Sequence, residues 1–297
     1  MSSAWLDAFP AFGTETLSAL RRAIDGTFRT FTREYGEALE NLFEPLRQFL
    51  LMSERLLTDS PWPVVVGVIA LIAWVASRSI KIVIGTVLTM LLIGLFGMWE
   101  DTMKTISMIF VCTVVAIALG LPIGITMSRS ERFQGMVNPA LDVMQTMPSF
   151  VYLIPVVMLL GIGRVPGLIA VVIYAIPPVI RFTNLGIRLV DKDLLEAADA
   201  FGSSAWQKMR QVQLPLALPT IMAGINQTIM LSLSMVVIAS MIGVQGLGQP
   251  VLKAITNQYF TMGLLNGMAI VGIAIVFDRV SQAYGKRLQK HLEVHHG

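Results

Sequence analysis

The residues of this chain whose types and spacing could do work are few, and they gather in one polar segment. Residues 188–215 read RLVDKDLLEAADAFGSSAWQKMRQVQLP, the longest polar stretch between any two apolar runs. Asp193 can cap a short helix, with Glu196 three residues on, the spacing of a capping box. Gly202 suits the left-handed position that ends such a helix. Ser204 can cap a second helix and Gln207 repeats the box. Pro215 is expected to stop that helix before the next apolar run. A helix–turn–helix of this kind has a mechanical use: laid across a membrane face, it can dock in a groove of a soluble partner and carry its motion to the spans it joins. The alternative is an ordinary structured loop.

Covalent and acid–base chemistry find little purchase. No G-x-x-x-x-G-K-[ST] loop, no H-E-x-x-H and no nucleophile elbow occur, so ATP cannot be bound here by a P-loop and no catalytic residue is assigned. The three histidines, His291, His295 and His296, sit at the extreme C-terminus. His291 and His295 have i, i+4 spacing, which reads as a solvated tail or a metal site; no metal ligand set is assigned. Cys112 is the single cysteine and lies in an apolar run, which excludes an intrachain disulfide. Carboxylates are nearly missing from the apolar runs. Asp278 is one exception, near the cytoplasmic end of the last run, where Arg279 or a neighbouring helix can pair with it. Proton-coupled carriers place acids at membrane depth, so this pattern argues against ion-driven secondary transport and for energy supplied from outside the chain.

The elements that must position the polar segment are apolar. The 297 residues are 55% hydrophobic and 14% charged, against roughly 25% charged in soluble domains. Seven apolar spans are expected at about 61–77, 80–99, 104–127, 141–162, 165–187, 216–242 and 262–280. The first is short for a span of roughly 20 residues. The fourth and fifth are expected to be broken by Pro148, Pro155, Pro177 and Pro178. Ahead of them, residues 1–60 form an amphipathic segment. Leu39, Leu42, Phe43, Leu46, Phe49 and Leu50 recur at helical spacing between Glu37, Glu40, Glu44 and Arg47, as in an interfacial, partner-packing or plain scaffold helix. The basic start and short apolar core of a signal peptide are not seen.

Orientation follows from the basic residues. Arg78 and Lys81; Arg129 and Arg132; Arg181, Arg188, Lys192, Lys208 and Arg210; and Lys286, Arg287 and Lys290 all fall on one face of a seven-span arrangement. That face is read as cytoplasmic, with the C-terminus inside and residues 286–297 as a basic tail. Glu100, Asp101, Lys104 and Arg164 mark the opposite face. The first sixty residues then lie outside, carrying nine acids and six arginines. Basic residues so placed point to membrane topology and not to a nucleic-acid partner.

Glu196-Ala197-Ala198, three residues, Gly202, nine residues, then Val212-Gln213-Leu214-Pro215 resembles the EAA motif of ABC importer permeases. MPSFVYLIPVVMLLGIGRVPG (147–167), YAIPPVIRFTNLGI (174–187) and LPTIMAGINQTIMLSLSMVVIASMIGVQGLG (218–248) are similar to permeases of glycine betaine, proline betaine and choline importers. The resemblance covers about residues 60–285. One departure is visible: Val244-Gln245 stand where a smaller Ala-Gly pair is expected, before a Gly-rich turn facing away from the cytoplasm.

The resemblance implies an all-α, polytopic helical membrane protein of the ABC importer permease type, in a bacterial cytoplasmic (inner) membrane. It implies that Glu196, Ala197, Ala198, Gly202, Ser204, Leu214 and Pro215 belong to a coupling hairpin docking on a separate cytoplasmic ATPase. ATP and Mg would be bound there, and no cofactor by this chain. The other implied partners are an external substrate-binding protein, a second copy of the chain, since there is one hairpin and not two, and membrane lipid. A quaternary ammonium cargo is poorly hydrated and is held by aromatic faces. High-affinity recognition of that kind would sit in the binding protein. This chain needs only a weak, mildly polar path, for which Asn226, Gln227, Thr228, Ser232 and Ser234 in the sixth span are the candidates, with Tyr152 and Tyr174 able to contribute aromatic faces. Their alternative role is interhelical hydrogen bonding. Another amine, amino acid or osmolyte as cargo, a channel or scaffold subunit, and an intramembrane enzyme are the competing functions.

Overall fold

The computed structural model describes residues 12–294. Among these residues there is no strand. The chain runs α1 (Thr14–Thr58), α2 (Trp62–Ser77), α3 (Ile80–Leu95), α4 (Trp99–Arg129), α5 (Glu131–Thr146), a 3-10 turn (Ser149–Tyr152), α6 (Leu153–Leu160) and α7 (Arg164–Arg188). It continues through α8 (Lys192–Ala200), α9 (Ala205–Lys208), a π turn (Met209–Gln213), α10 (Leu214–Ala239), a 3-10 turn (Ser240–Ile242), α11 (Gly248–Asn257) and α12 (Phe260–Val294).

Among the described residues four elements are long and apolar enough to cross a membrane: α4, α7, the run Ala205–Ile242 and α12. Two bent pairs raise this to six, and α3 is a further apolar helix of 16 residues. About seven spans is therefore a sound description, but the spans are not alike. In α7, 67% of the apolar window is buried, against 17% in α12, so α7 is the core of the bundle and α12 its rim.

Small residues set that core. A Cβ on Gly124 of α4 would come within 2.7 Å of the Ile180 carbonyl oxygen, and one on Gly224 of α10 within 3.1 Å of that of Pro178. Both helices thus lie against the backbone of α7, as small residues permit in membranes. This close packing explains a correction. Pro177 and Pro178 do not break α7, which is continuous across them. Packing from two sides holds the helix although two backbone donors are missing. Pro148 does interrupt the expected span 141–162. α5 ends at Thr146, and the segment Ser149–Leu160 leaves it bent by 112°.

Two further differences concern lengths. α2 and α3 have 16 residues each, about 24 Å at 1.5 Å per residue, short of a hydrocarbon core of about 30 Å. The short helix α11 fell outside every expected span. Its Ala254 packs inward, and Gln258 closes it in the left-handed conformation at φ 59°.

The amphipathic N-terminal segment is one 45-residue helix that runs through Pro45. Its last third packs on α4 and α6, where Leu50 is 1% exposed. Leu20, Ile24, Phe31, Tyr35 and Leu42 remain exposed along it. Residues 1–11, His295 and His296 lie outside the described residues, as does the side chain of His291.

Candidate functional site

The polar segment folds as two short helices, with its start shifted. The cap of α8 is Asp191, whose side chain accepts from the backbone N–H of Asp193 at 3.0 Å. Asp193 itself lies in the first turn, where its charge still suits the helix dipole. The expected cap was two residues too late because either aspartate satisfies the same local rule. Gly202 stands at φ 76° as expected. Ser203 N–H donates to the Ala198 carbonyl at 3.0 Å and Gly202 N–H to that of Asp199 at 2.9 Å, which is a Schellman ending. The capping box is complete: Ser204 Oγ accepts from Gln207 N–H at 3.3 Å, and Gln207 Oε1 accepts from Ser204 N–H at 2.9 Å.

Pro215 does not stop the second helix. The chain passes from α9 through the π turn into α10, and Pro215 sits in the first turn of α10. The wider turn lets Leu214 N–H reach the Met209 carbonyl, five residues back. That register shift absorbs a proline that a regular α-helix would not accept. The second helix of the hairpin and the span are therefore one lever, a 38-residue element from Ala205 to Ile242, and α8 joins it across the Gly202 turn.

The lever is tied down sparingly. Met209, 2% exposed, anchors it among Ile187, Leu214, Ala217 and Ile221. Lys208 Nζ bonds Asp199 Oδ1 at 2.6 Å and joins the two short helices. Arg129 lies 5.9 Å from the Trp206 ring centre. Arg188 Nη2 donates to the Met127 carbonyl at 3.2 Å, so the end of α7 caps the end of α4. Nothing in α8 is buried. Glu196 and Ala197 are exposed and Ala198 half-buried. Phe201, between the two helices, is 91% exposed, and Trp206 62%. These two aromatics were not singled out from the sequence; their signal was an aromatic residue inside a polar, capped hairpin.

The candidate path residues divide into two kinds. Asn226 Nδ2 donates to Asp278 Oδ1 of α12 at 3.1 Å, and the Ser281 hydroxyl reaches Asn226 Oδ1. Gln282 Nε2 also donates to Asp278, at 2.6 Å. Asn226 thus joins two helices, and Asp278 takes a partner from the neighbouring helix. Gln227 and Ser234 share one exposed face of α10, while Thr228 and Ser232 are buried. Tyr152 and Tyr174 come together edge to face, ring centres 5.7 Å apart. Tyr152 is buried, and its hydroxyl donates to the Met144 carbonyl, so it braces the α5–α6 bend.

At the other end of the bundle the Gly-rich turn folds inward. Gly243 and Gly246 adopt φ 88° and 129°, and Leu247 N–H donates to Thr105 Oγ1 at 2.9 Å. A Cβ on Gly167 would come within 2.0 Å of Val244, so Val244 fills the notch that Gly167 leaves. Gln245 Oε1 accepts from Arg164 Nη2, whose Nη1 bonds Glu54 Oε2 at 2.7 Å. The unexpected Val-Gln pair is thus one packing residue and one link to the start of α7, whose Arg164 also holds α1.

A family model for the binding-protein-dependent transport system inner membrane component matches residues 116–290. The chain is 48% identical over 242 residues to the glycine betaine/proline betaine transport system permease protein ProW of Escherichia coli, covering 82% of this chain and 68% of that one. It is also 48% identical to the glycine betaine/carnitine transport permease protein GbuB of Listeria monocytogenes, covering 76% of this chain and 81% of that one. Among solved structures it is similar in fold to the MetNI methionine ABC transporter in an inward-facing conformation. There the TM-score is 0.57 at 20% identity, covering 62% of this chain and 93% of that one.

Proposed function

The chain belongs to the family of binding-protein-dependent transport system inner membrane components, and on that premise we propose that it is the permease subunit of an ABC importer for a quaternary ammonium solute. Glycine betaine is the first candidate cargo, with proline betaine and choline next. The observation that carries the coupling part of this reading is the hairpin 191–213. It is capped at both turns, exposed along α8, and continuous with a spanning helix. Rigid caps and an unburied face suit an element that pushes on something outside the chain.

In this reading Glu196, Ala197, Ala198, Gly202 and Ser204 face a separate cytoplasmic ATPase, which binds ATP and its Mg2+. Leu214 and Pro215 connect the hairpin to α10. Two copies of the chain enclose the path on a two-fold axis, and an external binding protein delivers the cargo. Gln227 and Ser234, exposed on α10, are the path residues this geometry favours. Asn226, Tyr152 and Tyr174 serve the bundle that holds them.

The placement in the bacterial inner membrane, with the C-terminus and basic tail (286–297) inside, rests on the basic loops of the permease region 61–285. The segment 1–60 then lies outside. Residues Asn41–Thr58 of α1 are bent by 109° from α2, so with α2 along the membrane normal they run within about 20° of the membrane plane, as an interfacial helix does. The exposed apolar row from Leu20 to Leu42 would then rest on lipid.

The test is uptake of labelled glycine betaine and choline in liposomes carrying the chain, its ATPase and its binding protein, with Glu196→Lys as control. Uptake that needs ATP and binding protein and fails in the variant is the expected result. ATP-driven activity with neither substrate removes the cargo and keeps the permease. If no ATPase associates, the coupling role is lost and a channel or scaffold takes its place.

A further inference from the structure

A second site lies away from the hairpin and the candidate path. Between the end of α1 and helices α2, α3, α4 and α12 runs a groove of about 540 Å³. Its walls are almost wholly apolar, with Val68, Ile72, Phe110 and Phe277 prominent among them. Val68 is 48% exposed, Ile72 57% and Phe110 51%. These side chains face whatever lies outside the chain, and they sit on membrane-spanning elements, where that is hydrocarbon.

One end of the groove approaches a basic cluster. Ala73 of α2 and Val280 of α12 line it, and both helices run on to their basic ends. Arg78 lies in the turn between α2 and α3 and Lys81 in the first turn of α3, and both are exposed. Arg287 of α12 donates from Nη1 to the Val75 carbonyl at 2.9 Å, which brings that helix's basic end beside the same turn. Among the described residues, Arg78, Lys81 and Arg287 make no ion pair. Because α2 and α3 are shorter than the hydrocarbon core, the headgroup layer is drawn down beside them. Cations at that level, next to an apolar groove, are what a phosphate with a fatty tail requires.

We propose that this groove is a phospholipid site, holding one acyl chain, with the lipid phosphate gripped by Arg78, Lys81 and Arg287. The proposal depends on the chain spanning a membrane but not on its cargo. The apolar walls select the tail. The cluster selects the phosphate, and an anionic headgroup strengthens the hold.

The test is native mass spectrometry of the full chain, purified in mild detergent, with phosphatidylglycerol or phosphatidylethanolamine as added probe. Val68→Trp and, separately, Ile72→Trp fill the groove; Leu88→Trp, on an exposed face outside it, is the control. Retained phospholipid should fall about tenfold in the filled variants, as for roughly two methylenes withdrawn from contact, and stay unchanged in the control. Arg78→Gln and Lys81→Gln should each weaken phosphatidylglycerol retention by about fivefold. Thermal melts of each variant separate displaced lipid from lost fold. Equal retention in wild type and both filled variants overturns the proposal. So does loss of self-association in those variants with lipid unchanged, since the groove would then belong to a second copy.

Discussion

Arg164, the first residue of α7, holds Glu54 of α1 at 2.7 Å across 110 residues of chain. The same guanidinium donates to Gln245 in the Gly-rich turn. Three elements that meet at this end of the bundle are thereby fastened at one side chain. Glu54 is 14% exposed and Arg164 29%, so the pair is partly shielded from water. Glu54→Ala should loosen residues 46–58 by about 1–2 kcal/mol, the range for a hydrogen bond to a charged group with some solvent screening. Hydrogen exchange of that segment should quicken by about tenfold. Unchanged protection would show that Leu50 and its neighbours hold α1 without the ion pair.

Helix packing gives a sharper contrast. A Cβ at Gly124 would stand 2.6 Å from Thr183 Cβ and 2.7 Å from the Ile180 oxygen, whereas one at Gly85 meets nothing within 4 Å. Gly124→Ala should cost about 1–3 kcal/mol as overpacking against backbone. Gly85→Ala should stabilise by about 0.5–1 kcal/mol through helix propensity. Thermal unfolding in detergent measures both, and equal shifts would contradict the close approach of α4 and α7.

The hairpin caps can be removed one at a time. Ser204→Ala loses the box at the start of α9 and should cost about 1 kcal/mol locally, while Ser204→Asp restores it. Gly202→Ala places a Cβ at φ 76°, a strain of about 1–2 kcal/mol. If the hairpin transmits force, both lesions raise the ATP spent per solute moved and leave assembly intact. A coupling ratio indifferent to the caps would argue that rigidity here is incidental.

Phe201 is the most exposed large apolar residue of the hairpin and touches nothing in its own chain that its loss would expose. Phe201→Ser should leave the melting temperature of the isolated chain unchanged. Affinity for the ATPase should fall by about tenfold or more, as for an aromatic anchor at an interface centre. Titration of the purified ATPase onto chain in nanodiscs reads this directly; equal affinity excludes Phe201 as an anchor.

Asn226 and Gln227 are neighbours with opposite expectations. Asn226→Leu leaves Asp278 without its partner on α10 and should destabilise the α10–α12 contact by about 1–2 kcal/mol. Gln227→Leu, on the exposed face, should leave stability alone and slow uptake. A stability loss at Gln227 with none at Asn226 would reverse their assignment.

The sequence by itself determined the class of this protein. Continuous apolar runs of about twenty residues, separated by basic turns, fit spanning helices and not the short alternating strands of a barrel, the other structure that pairs its backbone within hydrocarbon. The motif 196–215 and its Gly202 turn were legible for a related reason. The Ser204–Gln207 box and the left-handed Gly202 are satisfied within a few residues and need no distant partner, whereas the expected Asp193–Glu196 box gives way to a cap at Asp191. Tertiary structure decided what local rules leave degenerate. Asp191 and Asp193 are equally good caps on paper. Pro148 and the Pro177-Pro178 pair look like equal breakers, yet only Pro148 breaks its helix, since α7 is clamped by glycine faces on α4 and α10. The continuity of hairpin and α10 through a π turn, the pairing of Asn226 with Asp278 and the clasp of Glu54 by Arg164 join residues far apart in the chain. Their energies depend on which helices become neighbours, and that is settled only when the whole bundle packs.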